Sequence, residues 1–159
     1  MDITTVCSDM MDLSPIAANT VDLVISMSAE TYAEDFNKVC EEVGRVLRSN
    51  GRFVFSTTHP FMACIGATEL WADENTNPNY SYKGAFQWKW NAEDAFVFTT
   101  YRRQISDYVN ALAKNNFMLK RMEELFPVTP LPDDNDFDEN EMKVRTRYPS
   151  VLVVEAVKI

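Results

Sequence analysis

Apolar residues change their spacing several times along this chain, and each change marks an element. Val21-Asp22-Leu23-Val24-Ile25-Ser26 is a nearly unbroken apolar run, the composition of a strand buried on both faces. From about Ala33 to Arg48, Phe36, Val39, Cys40, Val43, Val46 and Leu47 recur at i, i+3, i+4 and i+7. Glu34, Asp35, Glu41 and Glu42 fall outside that stripe, so the segment predicts an amphipathic helix. Its acidic first turn and its basic last turn, with Arg45 and Arg48, complement the helix dipole, and Asn50-Gly51 is expected to supply a left-handed stop. A second buried run, Arg52 to His59, follows. Strand, crossover helix and strand form one βαβ unit. The two strands should therefore be parallel, with a ligand site beyond their carboxyl ends, at Ser26 to Glu30 and Thr57 to Phe61.

The flanks are read the same way. Ile3 to Ser8 is a short β-prone run ending at Asp9, and Met10 to Asn19 is a loop containing Pro15. From Met62 to Phe98 no single period fits, and Trp71, Tyr80, Tyr82, Phe86, Trp88, Trp90 and Phe96 crowd the segment. It reads as an aromatic insertion, either a lid or substrate loop or a satellite core with small added hairpins. A second helix carries Ile105, Tyr108, Val109 and Leu112 on one face, with Ser106 as its expected N-cap and Asn115-Asn116 as its end. Phe117 to Leu125 reads as a strand, residues 127–147 as an acidic, proline-rich loop, and Ser150 to Val157 as a closing strand. The fold class expected is α/β, in one domain over residues 1–159.

Composition narrows the functions. A length of 159 residues and 46% hydrophobic content suit one domain with its own core. A net charge of -9 disfavours phosphate backbones, so no nucleic-acid partner is expected, and a small neutral or cationic substrate, or a protein, fits better. Cys7, Cys40 and Cys64 are odd in number and unpaired in pattern, which fits a reducing compartment. With no signal-peptide pattern and no apolar run long enough for a bilayer, no membrane partner is expected and the cytoplasm is the default. Metal catalysis is unsupported, because the single histidine and the scattered cysteines offer no ligand cluster. Asp134, Asp136 and Asp138 alternate like a calcium loop. Glu139, however, stands where that loop needs glycine, and Arg145 where it needs the closing glutamate.

Taken in order, Cys7-Ser8-Asp9, Val21 to Ser26, Glu42-Val43-Gly44-Arg45-Val46-Leu47 and Asn50-Gly51-Arg52-Phe53-Val54-Phe55-Ser56 resemble the second half of the class I S-adenosylmethionine-dependent methyltransferases. Ser106 to Glu124 with Arg147-Tyr148-Pro149-Ser150 is similar to the tail of the small-molecule members. The resemblance implies a truncated Rossmann-like sheet, mostly parallel, with a C-terminal antiparallel hairpin. It also implies S-adenosyl-L-methionine as cofactor, with Asp9 and Met10 at the adenine and Ser26, Met27 and Ser28 at the methionine end. The alternative for Asp9 is the start of a turn, and for Ser26 to Ser28 the start of a loop. Glycine occurs only at 44, 51, 66 and 84, so the family's glycine-rich cofactor loop is missing, as is the ribose-binding carboxylate.

His59, the only histidine, ends the second strand of the βαβ unit; it could act as general base in catalysis or shape the pocket. Tyr101, Arg102 and Arg103 could face the same pocket, with arginine anchoring a substrate carboxylate. Trp88, with Trp71 and Trp90, could cage a cationic or flat small-molecule substrate. Asn77-Pro78-Asn79-Tyr80 is similar to an amino-methyltransferase motif but stands in the wrong place. If a neighbouring strand is missing, exposed edges should favour a homodimer by strand addition or exchange, or a complementing N-terminal fragment. The competing class is a non-enzymatic interaction module descended from a methyltransferase.

Overall fold

The computed structural model describes residues 3–69, 80–89, 97–127 and 146–159. Its elements are β1 (Val21–Met27), a 3-10 turn (Glu30–Tyr32), α1 (Phe36–Val46), β2 (Leu47–Thr58), α2 (Pro60–Glu69), β3 (Gly84–Lys89), β4 (Val97–Arg102), α3 (Ile105–Lys114), β5 (Phe117–Leu125) and β6 (Val151–Lys158). Four strands make the main sheet in the order β1-β2-β6-β5, and β3 pairs with β4 as a separate hairpin. β1 and β2 are parallel, in register from Leu23↔Arg52 to Met27↔Ser56, as the crossover helix requires. β2–β6 and β6–β5 are antiparallel, so the α/β class and the C-terminal hairpin appear as expected, with parallel pairing confined to β1–β2.

The stripe on α1 does what its spacing implies. Phe36, Val39, Cys40 and Val43 are buried against Phe53 and Phe55 of β2 and Leu152, Val154 and Ala156 of β6, and Tyr108, Leu112 and Phe117 complete the cluster. Phe36 sits at its centre, 5.2 Å from Phe55 and 4.9 Å from Tyr108 between ring centroids. Both α1 and α3 thus cover the Phe53–Phe55 face of the sheet.

The opposite face is barer. Leu23, Ile25 and Met27, alternate residues of β1, are 38%, 61% and 70% exposed, and Met118 and Leu125 of β5 are 50% and 46% exposed. β1, read from sequence as a strand buried on both faces, is the sheet's edge with one apolar side open.

Local expectations meet several corrections. Ile3 to Ser8 forms no strand, because a strand exists only as part of a ladder and, among the described residues, β1 is the edge of the sheet. Ile3 and Val6 are left 82% and 48% exposed. The helix read from Ala33 to Arg48 is shorter: Asp35 caps it by accepting from Asn37 and Lys38 N–H, and its chain passes straight into β2 at Leu47. Asn50-Gly51 is therefore an excursion within β2, where Val21↔Leu47 is followed by Leu23↔Arg52. Asn50 takes the left-handed conformation at φ 63°, while a Cβ on Gly51 would lie 2.8 Å from the Arg48 carbonyl oxygen. The cap of α3 is Gln104, not Ser106; its N–H donates to Asp107 Oδ2 at 2.8 Å. The aperiodic segment holds most of α2, all of β3 and the start of β4, periods too short to register separately in the sequence. Trp71, Trp90 and Phe96, Asn77 to Asn79, and the acidic loop through Asp134, Asp136 and Asp138 lie outside the described residues.

Candidate functional site

The carboxyl ends of β1 and β2 meet where the chain turns twice. Ser28 leaves β1 at φ 55°, a left-handed conformation that disfavours most side chains, and its N–H donates to the Ser56 carbonyl at 2.8 Å. That bond holds the two strand ends level while Ala29 to Tyr32 curls into the 3-10 turn. On the neighbouring end, Thr58 is followed by His59 and by α2. The β3–β4 hairpin then brings Phe86 and Thr100 to Arg103 to the same place. Between them lies a cavity of about 310 Å³, lined by Ser28, Thr31, Tyr32, Thr58, Pro60, Phe86, Thr100 to Arg103 and Tyr108. Its position beyond parallel strand ends is the one the βαβ unit predicts. A more open cleft of about 500 Å³ runs along α1 and α3, but it presents mainly paired surface charge such as Lys83–Asp107.

Two arginines shape the cavity differently. Arg103 straps the hairpin to the entry of α1, donating to the carbonyls of Glu30 at 3.1 Å, Tyr101 at 3.3 Å and Glu34 at 2.9 Å, and to that of Ala33. Arg102, only 7% exposed, lies over the Phe86 ring at 4.3 Å from its centroid. Burial pushes the Arg102 guanidinium's pKa down. Tyr108 shares a hydrogen bond of 3.2 Å with Thr57 at the cavity floor, and burial pushes its phenol up. Tyr101 and Arg102, singled out from sequence, are thus brought to the cavity. Trp88 sits in β3 with its backbone opposite Phe98, and its side chain lies outside the described residues.

His59 is close by but turned inward. It is fully buried, its Nε2 lies 3.0 Å from Glu124 Oε1, and its Nδ1 accepts the Phe61 N–H at 3.2 Å. An accepting Nδ1 puts the proton on Nε2, which then donates to Glu124. The ring also stacks on Phe61, which stacks on Tyr80. Both nitrogens are engaged away from the cavity wall, so proton abstraction by His59 would require the ring to leave both partners.

The fold and this cavity can be set beside known proteins. The family described as "Methyltransferase domain" matches residues 1–55. The structure of an S-adenosylmethionine-dependent methyltransferase from Mesorhizobium loti superposes with a TM-score of 0.71 at 26% identity, over 95% of this chain and 67% of that one. A presumed S-adenosylmethionine-dependent methyltransferase from Listeria monocytogenes gives 0.72 at 25% identity, over 96% and 67%. The chain has the fold of these S-adenosylmethionine-dependent methyltransferases, and its first 55 residues match the methyltransferase-domain family. An uncharacterized protein of Haemophilus influenzae is 26% identical, and the match covers 92% of this chain but 58% of the relative's length.

The residues that the family resemblance assigns to the cofactor are unevenly placed. Ser28 lines the cavity, and Ser26 and Met27 precede it at the end of β1. Met27 is 70% exposed on the open face and receives a weak contact from Ser56 Oγ to its sulfur at 3.8 Å. Asp9 closes no strand; it is exposed, and its Oδ1 accepts the Met11 N–H at 2.8 Å in a local turn. Met10 is partly buried against the core cluster.

Sequence reasoning assigned no role to Glu30. Its side chain is completely buried, and neither carboxylate oxygen has a hydrogen bond of ordinary geometry, although the Ser26 hydroxyl approaches it. Burial raises its carboxyl pKa above the ordinary 4.5, against smaller opposing effects from Ser26 and Arg103. A glutamate in a run of small and polar residues after a strand carries no periodic mark, so only its three-dimensional surroundings reveal it. Among the described residues no group of three or more His, Cys, Asp or Glu side chains is placed to hold a metal. No helix there is long and apolar enough to cross a membrane.

Proposed function

We propose that this chain forms the acceptor-binding and methyl-transfer portion of an S-adenosylmethionine-dependent methyltransferase acting on a small molecule. One observation carries the reading: a half-open cavity of about 310 Å³ sits at the ends of the parallel strands of a methyltransferase fold. A volume of this size admits a small molecule and excludes a folded macromolecule. Ser26 to Ser28 would hold the methionine end of S-adenosylmethionine, which when bound would supply an electrophilic methyl group to the cavity. The residues present would act by alignment and by excluding water, for which Tyr108, Phe86 and Tyr101 supply apolar surface. His59 holds the start of α2 through Phe61 and ties β2 to β5 through Glu124, which makes it a positioning residue.

Cofactor affinity is the sharpest test. The chain lacks the glycine-rich loop and the ribose carboxylate that the family resemblance calls for, so contacts that fix the ribose and methionine are missing. Calorimetric titration with S-adenosylhomocysteine should show weak binding or none; tight one-to-one binding would overturn the reading of an incomplete cradle. A non-enzymatic interaction module is the second reading, favoured by the open apolar side of β1. Coding sequence upstream of Met1 separates the two. An in-frame glycine-rich strand-turn-helix supports the enzyme, and its absence supports the module.

A further inference from the structure

The wall of the cavity divides by chemistry. At the strand ends stand three hydroxyl residues, Ser28 after β1, Thr31 in the 3-10 turn and Thr58 closing β2. None of the three side chains has a hydrogen-bond partner among the described residues, whereas the hydroxyls of two other lining residues are already engaged. Tyr108 shares its hydroxyl with Thr57 at 3.2 Å, and the Thr100 hydroxyl donates to the Phe86 carbonyl at 3.4 Å. On the side of the β3–β4 hairpin and α3 the wall is aromatic, made by Phe86, Tyr101 and Tyr108. Both arginines of the wall are occupied, Arg103 with backbone carbonyls and Arg102 with the Phe86 ring and a further contact, so neither is assigned to a ligand. A molecule that fills this space must therefore offer a polar atom to one edge and apolar surface to the other.

We propose that the cavity binds a flat phenol, with its hydroxyl at the Ser28, Thr31 and Thr58 edge and its ring against Phe86, Tyr101 and Tyr108. A phenol oxygen both donates and accepts, as the serine and threonine hydroxyls do, so it can pair with any of the three in either sense. The aromatic wall favours a planar ring over a puckered one, because ring-on-ring contact is worth more than its buried area alone. That this phenol is the methyl acceptor rests on the methyl-transfer reading; that it binds does not.

The test needs no cofactor. The full chain is titrated with beta-naphthol, with naphthalene, which lacks the hydroxyl, and with decahydronaphthol, which keeps the hydroxyl on puckered rings, while backbone amides are followed by two-dimensional NMR. Beta-naphthol should perturb Ser28, Thr31, Thr58 and Tyr101 and bind about fivefold more tightly than either control, the scale of one hydrogen bond or one ring contact. Proton–proton contacts should place its hydroxyl end beside the Thr58 methyl and its far ring beside Phe86. Replacing Thr31→Val and Thr58→Val together, which keeps side-chain shape, should bring the two flat ligands to within about twofold of each other. If that double variant fails to fold, the three wild-type titrations still decide. Naphthalene or decahydronaphthol binding as tightly as beta-naphthol, the reversed orientation, or no perturbation of these amides by any probe overturns the proposal. Because S-adenosylhomocysteine is absent, failure here is separate from failure of the cofactor titration.

Discussion

At the scale of single residues, the informative side chains are those whose burial conflicts with their chemistry. Glu30 is fully buried without an ordinary hydrogen bond, an arrangement that costs stability unless something else uses it. Its folded-state pKa lies above the ordinary 4.5, so the folded chain holds a proton that the unfolded chain releases. Its contribution is therefore most favourable below 4.5 and is lost as pH rises through the folded value. Glu30→Gln should flatten that decline in chemical denaturation across pH, and Glu30→Met should raise neutral-pH stability by about 1–3 kcal/mol, the cost of a buried unsatisfied group. A loss of stability in both variants at neutral pH would show that Glu30 has a partner in solution. His59 presents the opposite case, buried and satisfied. His59→Ala should cost about 1–3 kcal/mol by stranding its partners. In an active full-length form, a positioning role predicts that His59→Gln restores turnover without changing the pH profile; disappearance of a pH limb near neutrality would return His59 to base duty.

At the scale of elements, α1 does two jobs through two faces. Its apolar stripe fills the core, while Glu42 and Arg45 clamp the loop that precedes β1. Glu42 accepts the Leu13 N–H at 2.7 Å and the Arg45 Nε–H at 3.0 Å, and Arg45 in turn donates to the carbonyls of Leu13 at 2.7 Å and Ile16 at 2.9 Å. The hydrogen bond from Arg45 holds the Glu42 carboxyl below its usual range. A lowered folded value means that this contribution is present above the ordinary 4.5 and is lost as pH falls through the folded value. Glu42→Gln should therefore reduce the stability difference between neutral and acid conditions, and amide exchange at Leu13 should speed up. Unchanged exchange at Leu13 would dismiss the clamp. Periodicity left Glu42 outside the apolar stripe, yet the structure buries it, because the preceding loop covers it. A helical wheel shows where a side chain points, not which loop arrives to meet it.

At the scale of the whole molecule, β1 is the edge of the sheet among the described residues. β1 offers an unpaired backbone edge and the exposed side chains Leu23, Ile25 and Met27 together, a combination that invites another strand. The chain spans 58% of the length of its Haemophilus influenzae relative, so part of that relative has no counterpart here. We propose that a second polypeptide, another copy or an N-terminal piece, completes this edge. Light scattering of the chain alone should give a mass above that of a monomer, and Ile25→Lys should return it to the monomer. A monodisperse wild-type monomer would leave only the separate N-terminal piece, to be sought by co-expression.

Much of this protein was already written in its order of residues. The stripe on α1, the two apolar runs around it, the Asn115-Asn116 stop and the last two strands each depend on neighbours within a few positions, so periodicity and turn chemistry sufficed to find them. Tyr101 and Arg102 could be suspected for the same reason, since they stand next to a legible helix start. Tertiary structure decided the rest, because it turns on contacts between distant positions. Ile3 to Ser8 has strand composition but no ladder to join, β1 has buried-strand composition but lies at an edge, and His59 sits at a strand end but bonds to Glu124 across the sheet. Glu30 became significant only when folding removed water from around it, and Arg102 only when a hairpin laid it on Phe86 in a cavity wall. Local sequence determined which segments form helices and strands; desolvation and long-range pairing determined which of their side chains carry chemistry.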